Sequence, residues 1–549
     1  MTFSLIINYG GSKKRIEVGF STGSKPLSET LKENGLAIWT SCGGNGICSS
    51  CEIKLLSGHL IRIKDNKKIE AGRNGIILKS CLVTLPENGN AEIEILKNLY
   101  YDKVMNKNIL ISKIKDLKTL PEKSSSRKKQ KKYLGIAVDI GTTTVEAVLF
   151  YADTGKIIDQ KSIINSQIKY AVDVLSRIKL CFDNNKLLKL LQENIVEKSF
   201  LPLISSLLEN NDYQFENILK IYIAGNTTML HIFLGEDPTS IGLYPFTPKF
   251  LDTKSITLHE LISDKGKKSD VFINEKSDIE IRLLPGISAY VGADILSGCY
   301  ALDIVDSKNS ILFIDIGTNG EILLKVNNKV FACSSAAGPT FEGFNLSCGT
   351  TAVSGAVRSI KVDKMNNILT ETINNKPAGG ICGSGYIDFL AEAKLNNIVN
   401  VYGRYTDEFN DFLCFSKNSG KYFCIGSENI FVSESDISLL LQAKAAIASG
   451  IQVLLNKADI KQKDIDLVYI AGGFGANLNI DNSIMCGLLE GFNTKQISIV
   501  GNTSLMGAYC SFFDNKAFDK LNQFKKSIEI VSLNEEPDFQ NIYIDNLRI

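Results

Sequence analysis

Cys42, Cys48, Cys51 and Cys81 are spaced C-x5-C-x2-C-x29-C. Three thiols on one short loop, with a fourth farther along the chain, form the ligand set of a [2Fe–2S] cluster. The loop reads SCGGNGICSSC from Ser41 to Cys51. Gly43, Gly44 and Gly46 allow the backbone to wrap closely around a cluster, with φ values that other residues avoid. Amide N–H groups in such a loop can point at the sulfides and stabilise their negative charge. Structural zinc is the alternative, but zinc sites usually pair two C-x2-C units, and the chain holds one. The other nine cysteines are scattered without ligand spacing. They are expected to behave as small buried hydrophobes, and a second cluster is not expected.

A second chemistry begins at Tyr133. Leu134–Phe150 reads LGIAVDIGTTTVEAVLF and Ile311–Val326 reads ILFIDIGTNGEILLKV, with the two aspartates 176 residues apart. Each is a strand, an Asp-Ile-Gly-Thr turn and a second strand. Such a turn presents backbone N–H groups and hydroxyls to phosphate oxygens, and its aspartate can hold Mg²⁺ through water. A later pair also matches: IYIAGNTTM at Ile221–Met229 and VYIAGGFGAN at Val468–Asn477. The glycines at 472, 473 and 475 let an adenosine lie flat against backbone. Two copies of one α/β unit around a shared cleft are the economical reading.

The elements that position these groups divide the chain. With 549 residues there is room for several domains. Residues 1–97 read as one small α+β unit: strands at Phe3–Tyr9 and Arg15–Phe20, and a helix at Pro26–Asn34 capped by Ser24. Residues 98–132 read as a connector. Its segment EKSSSRKKQKK carries six basic residues and no hydrophobe, which suits a solvated tether. Residues 133–309 and 310–549 are the two halves of the duplicated unit. Apolar content of 44%, charged content of 22% and a net charge of +1 are those of a soluble globular protein. They give no global field for nucleic acid or membrane. Thirteen cysteines without a signal peptide point to a reducing, cytoplasmic setting.

The N-terminal pattern resembles plant- or adrenal-type ferredoxins, with their β-grasp shape. Residues 133–549 resemble the sugar kinase–heat-shock protein–actin ATPase superfamily, a duplicated RNase H-like α/β fold. Asp139–Thr144 is similar to its first phosphate motif, Asp315–Glu321 to its second and Ala471–Asn477 to its adenosine motif; Asn319-Gly320 departs from the small hydroxyl pair common there. The combination resembles the reductive activators of corrinoid proteins. Gly225–His231, Pro245–Pro248, Ala336–Gly343, Gly380–Asp388 and Val500–Thr503 look like that family as well. Asn165–Ile178 departs from it in carrying Ala171 where the family has glycine.

The resemblance implies an ATP-dependent one-electron reductase that returns a corrinoid protein from Co(II) to Co(I). It implies cluster ligation by the four cysteines, and Mg²⁺ and water positioned by Asp139 and Asp315. Gly141, Thr142, Thr143, Gly317, Thr318 and Asn319 would cradle phosphates, and Gly472, Gly473 and Phe474 would flank adenosine. Lys444, on a helix expected at Asp436–Asn456, would reach nucleotide or simply face solvent. Ser334 and Ser335, before a glycine turn, would approach the corrinoid or make a polar turn. His231 reads as a satisfied structural histidine. The partners implied are a corrinoid protein and a low-potential electron donor, with a homodimer as one option for the assembly. Three other readings stand beside this one: an activator of a radical dehydratase, a small-molecule kinase with an appended ferredoxin, and an ATP-binding docking module without turnover.

Overall fold

The computed structural model describes residues 2–9, 12–19, 25–34, 51–95, 133–263, 279–363, 367–416, 420–427, 430–474 and 478–549. Cys42, Cys48, Ser24, the connector at 98–132 and Gly475–Asn477 lie outside the described residues.

The N-terminal unit is a seven-stranded sheet. Strand β1 (Thr2–Tyr9) pairs antiparallel with β2 (Ser12–Gly19) and parallel with β7 (Gly89–Ile95). Strand β7 pairs antiparallel with the long β3 (Glu52–Arg62). Strand β3 also carries β4 (Lys68–Glu70), β5 (Ile76–Lys79) and β6 (Val83–Thr84). Phe3, Leu5 and Ile7 are buried while Ser4 and Ile6 are less so, the period of two expected of a half-covered strand. Leu27 and Leu31 of helix α1 (Leu27–Glu33) enter the same core. This is the β-grasp layout of a ferredoxin.

The rest of the chain is built on two six-stranded sheets. The first runs in the order β10 (Ile157–Ile164), β9 (Thr144–Tyr151), β8 (Leu134–Ile140), β11 (Ile218–Gly225), β13 (Glu280–Leu283) and β12 (Lys254–Thr257). Strand β8 is buried along its length except at Asp139, as befits a strand covered on both faces. Three helices of this half matter below: α2 (Val174–Asp183), α3 (Thr227–Leu234) and α4 (Ala293–Ala301).

The second sheet repeats the first. Strands β14 (Ile311–Ile316), β15 (Gly320–Val326) and β16 (Lys329–Ser335) form an antiparallel meander like β8–β10. Two small antiparallel sheets follow, β17 (Val357–Val362) with β18 (Ile368–Thr372), and β19 (Leu413–Ser416) with β20 (Gly420–Ser427) and β21 (Ile430–Ser433). Helix α5 (Gly383–Leu395) lies between them in sequence, and α6 (Glu434–Ala458) follows. Strand β22 (Leu467–Ala471) then joins β14 in parallel, as β11 joins β8, and β23 (Ile497–Gly501) joins β22 as β13 joins β11. Helix α7 (Thr503–Phe513) follows β23, and β24 (Ile528–Ile530) pairs in parallel with β16. The duplication read from the two Asp-Ile-Gly-Thr segments therefore extends over five strands in each half.

Helix α6 begins at a capping box of Ser433 and Asp436, two orphan groups satisfied reciprocally. By length and composition it could cross a membrane, but 72% of its apolar window is buried among the elements of the second half.

The halves are joined by α4 against α7. Ser297 Oγ donates to Ser504 O at 2.8 Å, and a Cβ on Gly507 would lie 2.0 Å from Ser297 O. Leu505, Met506 and Tyr509 of α7 belong to the core of the first half. Gly507→Val should therefore force the helices apart and cost about 2–3 kcal/mol, read as a lowered denaturation midpoint; an unchanged midpoint would contradict this packing.

Candidate functional site

Both Asp-Ile-Gly-Thr turns face one cleft. Asp139, Gly141, Thr142 and Thr143 line it from the β8–β9 turn, and Asp315, Gly317, Thr318 and Asn319 from the β14–β15 turn. Gly472 and Gly473, after β22, complete the wall. Gly472 has φ +92°, and a Cβ there would meet Ile316 O at 2.3 Å and Asp315 Oδ1 at 2.7 Å. Only glycine lets this turn approach the second phosphate-type hairpin.

Each hairpin carries a second carboxyl group directly across from its aspartate. Glu146 faces Asp139 and Glu321 faces Asp315 in the ladder register. Asn319, the residue that departs from the usual hydroxyl pair, hydrogen-bonds Glu321.

The halves then exchange support. Asn502 caps α7 by accepting from Leu505 N. Its amide nitrogen donates to Asp139 Oδ2 at 2.9 Å and to Glu146 Oε2 at 2.8 Å. Ser504 Oγ donates to Asp139 Oδ1 at 2.7 Å. The aspartate of the first half is thus oriented by a helix of the second. In the reverse direction, Asp294 on α4 of the first half is close enough to Glu321 of the second to raise its pKa.

Five carboxyl groups line the cleft: Asp139, Asp294, Asp315, Glu321 and Glu342. No lysine or arginine is among the described lining residues. Burial pushes the Asp294 carboxyl up to about 7, against the lowering pull of the Ile295 N–H, and the charge on Asp139 adds to the rise. Burial, then Asp294 and Asp315, hold Glu321 well above the usual carboxylate range.

Behind the first turn lies the fully buried Arg177 of α2. Its guanidinium donates to Thr142 O at 2.6 Å, Gln167 Oε1 at 2.8 Å and Ala171 O at 3.1 Å. Burial lowers its pKa to about 9. The peptide oxygens it binds fix the path of the turn from behind.

Four residues singled out in the sequence do not line this cleft. Lys444 neither lines it nor faces solvent: it is buried in α6, its ammonium donates to Arg548 O, and burial lowers it to about 8. Phe474 stacks on Phe341 at 4.8 Å and 25°. Ser334 and Ser335 end strand β16 rather than forming a turn, and Ser335 Oγ donates to Gly320 O at 3.1 Å. His231 has both ring nitrogens engaged, Nδ1 with Thr227 O at 2.8 Å and Nε2 accepting from Lys249 N at 3.1 Å.

Glu146, Asp294, Glu342, Asn502, Ser504 and Arg177 carry no role in the sequence reading. Two signals point to some of them. The duplicated hairpins share a glutamate six or seven residues after the aspartate, and Gly-Asn-Thr occurs at both 225–227 and 501–503.

In the N-terminal unit, the Cys51 and Cys81 side chains are buried, with sulfurs 3.3 Å apart. That is far beyond the ~2.05 Å of a disulfide. It approaches the ~3.8 Å separation of two thiolates on one tetrahedral metal with bonds of about 2.3 Å. Ser80 Oγ, beside Cys81, is buried with no partner among the described residues, a donor suited to a cluster sulfur. These residues fit a [2Fe–2S] group.

Comparison with known proteins agrees with this layout. The model described as the C-terminal domain of RACo, the ASKHA domain, matches residues 309–549; the RACo middle region matches 134–307. A 2Fe-2S iron-sulfur cluster binding domain matches 11–85. The corrinoid activation enzyme RamQ of Eubacterium limosum is 30% identical over 436 residues, covering 77% of this chain and 71% of that protein. The [Co(II) methylated amine-specific corrinoid protein] reductase of Methanosarcina barkeri is 22% identical over 439 residues, 75% and 76% of the two chains. The solved structure of a reductive activator for corrinoid, iron–sulfur protein has a TM-score of 0.69 at 26% identity, covering 100% of this chain and 98% of that one. The chain therefore belongs to the family of reductive activators of corrinoid proteins, with a ferredoxin-type domain ahead of an actin-like ATPase fold.

Proposed function

We propose that this activator is an ATP-dependent one-electron reductase that returns a corrinoid protein from Co(II) to Co(I). The observation that carries the proposal is the meeting of two phosphate-type hairpins in one cleft walled by Gly472 and Gly473. In this reading Gly141, Thr142, Thr143, Gly317, Thr318 and Asn319 hold the phosphates. The adenosine lies against Gly472–Gly473. The Asp139, Asp315 and Glu342 carboxylates, with no described cationic side chain among the lining residues, would repel a triphosphate. A divalent cation between them would reverse that repulsion, and in this reading Asp139 and Asp315 hold Mg²⁺, directly or through water.

Cys42, Cys48, Cys51 and Cys81 are the proposed cluster ligands, with residues 1–97 as the ferredoxin domain, 98–132 as the tether and 133–309 and 310–549 as the halves of the ATPase. A plant-type cluster, when bound, supplies one electron near about −400 mV. The corrinoid Co(II)/Co(I) couple lies lower, and each ~59 mV of one-electron mismatch costs about a factor of ten. Nucleotide can offset this only by binding two states of the complex differently. The contacts that α7 makes with Asp139 from the opposite half give the cleft such a dependence on how the halves sit.

Two variants test the assignments. Asp315→Ala should lower ATP turnover about 10²-fold or more, in line with loss of one transition-state contact, while iron content stays unchanged. Turnover like that of the native chain would contradict the role given to Asp315. Asn502→Ala strips an amide donor from Asp139 and Glu146. It should raise the Mg²⁺ concentration needed for half-maximal turnover by about 10-fold or more, the usual cost of losing support behind a metal ligand. An unchanged Mg²⁺ requirement would show that the cross-half contact is structural only.

A further inference from the structure

Glu342 sits at the seam between the two turns. Its Oε2 accepts from Thr143 Oγ1 at 2.7 Å and from Thr318 Oγ1 at 3.3 Å, and the two hydroxyls are 3.1 Å apart. One carboxylate therefore engages a hydroxyl from each half, and these are hydroxyls that the proposed function gives to phosphate. An anionic phosphate and an anionic carboxylate cannot both take these two donors without strong repulsion.

The segment that carries Glu342 is a short strap bounded by two glycines of positive φ. It is a single 3₁₀ turn, Pro339–Glu342, between Gly338 at φ +70° and Gly343 at φ +86°. A Cβ at Gly338 would meet nothing within 4 Å, whereas one at Gly343 would lie 2.4 Å from Thr350 O. The N-terminal end of the strap is open and its C-terminal end anchored. Phe341 within it stacks on Phe474, which directly follows Gly473 of the cleft wall. On the N-terminal side the strap continues into Ser335 and Ser334 of β16.

We propose that Glu342 is a built-in stand-in for the terminal phosphate of ATP. Its carboxylate holds the two turns together through Thr143 and Thr318. The terminal phosphate, entering between the turns, takes both hydroxyls and expels the carboxylate. The strap 338–343 then shifts, and the shift is passed through Phe341 to the Phe474 loop and along the chain to Ser335. This inference rests on the cleft being a nucleotide site, and it names the residue through which the site distinguishes ATP from ADP.

The test is calorimetric binding of Mg·ATP and Mg·ADP to full-length, anaerobically prepared protein and to its Glu342→Gln and Glu342→Ala variants. Hydrogen exchange over residues 338–344 is read alongside. Removing the competing charge should tighten ATP by about tenfold or more, with a clearly smaller gain for ADP. In the native chain ATP should speed exchange in the strap, and in Glu342→Ala the strap should exchange quickly with or without ATP. Unchanged or weaker ATP binding in both variants, with melting temperatures like the native chain, would overturn the inference and make Glu342 a ligand-supporting or structural residue. Failure of the native chain itself to bind ATP would overturn the nucleotide reading and this inference together.

Discussion

Asp139 is held by its opposite half, and the rest of the site depends on that. Both Asp139 oxygens accept hydrogen bonds from the opposite half, from Asn502 and Ser504, more than 360 residues farther along the chain. The donors sit on the first turn of α7, whose other face packs on α4 and whose apolar side chains enter the core of the first half. The geometry of the proposed metal-holding carboxylate is therefore a readout of how the two halves are docked. A hinge movement that separated α7 from β8 would break these hydrogen bonds before it changed anything within either sheet.

The same arrangement crowds carboxyl groups together. Asp294 and Glu321 are buried deeply enough that burial itself, before their mutual repulsion, drives their pKa values up. Such a floor favours any species that brings positive charge, and metal affinity at carboxylates couples to the loss of their protons. The positive charge that the chain itself supplies is Arg177, set behind the first turn and spent on peptide oxygens rather than on the cleft. Backbone, hydroxyl and carboxyl groups line the cleft, and the guanidinium braces the loop from behind.

Much of this was legible in the sequence because it lies in short contiguous motifs. Asp139, Asp315, the neighbouring glycines and threonines, and Gly472–Gly473 all came together in the cleft, since a turn between two strands fixes where its residues point. Asp294, Glu342 and Ser504 were not legible, because their meaning is a contact between segments far apart in the chain. Lys444 shows the limit in the other direction. A lysine in a long amphipathic helix reads as solvated or ligand-facing, yet its side chain is buried and capped by a carbonyl near the C-terminus. Phe474, next to the cleft glycines, stacks on Phe341. Ser334 and Ser335 read as a polar turn because two serines and a glycine are good turn residues; the pairing of β16 with β15 overrode that preference.

The proposed function requires that nucleotide at the cleft drive an electron from the N-terminal unit uphill onto a corrinoid. The direct measurement is anaerobic absorbance of a Co(II) corrinoid protein mixed with this chain and a low-potential reductant. Co(I) absorbance should grow only when ATP is present, and a chain lacking residues 1–97 should still bind ATP yet form no Co(I). Equal Co(I) formation with and without ATP would contradict the account.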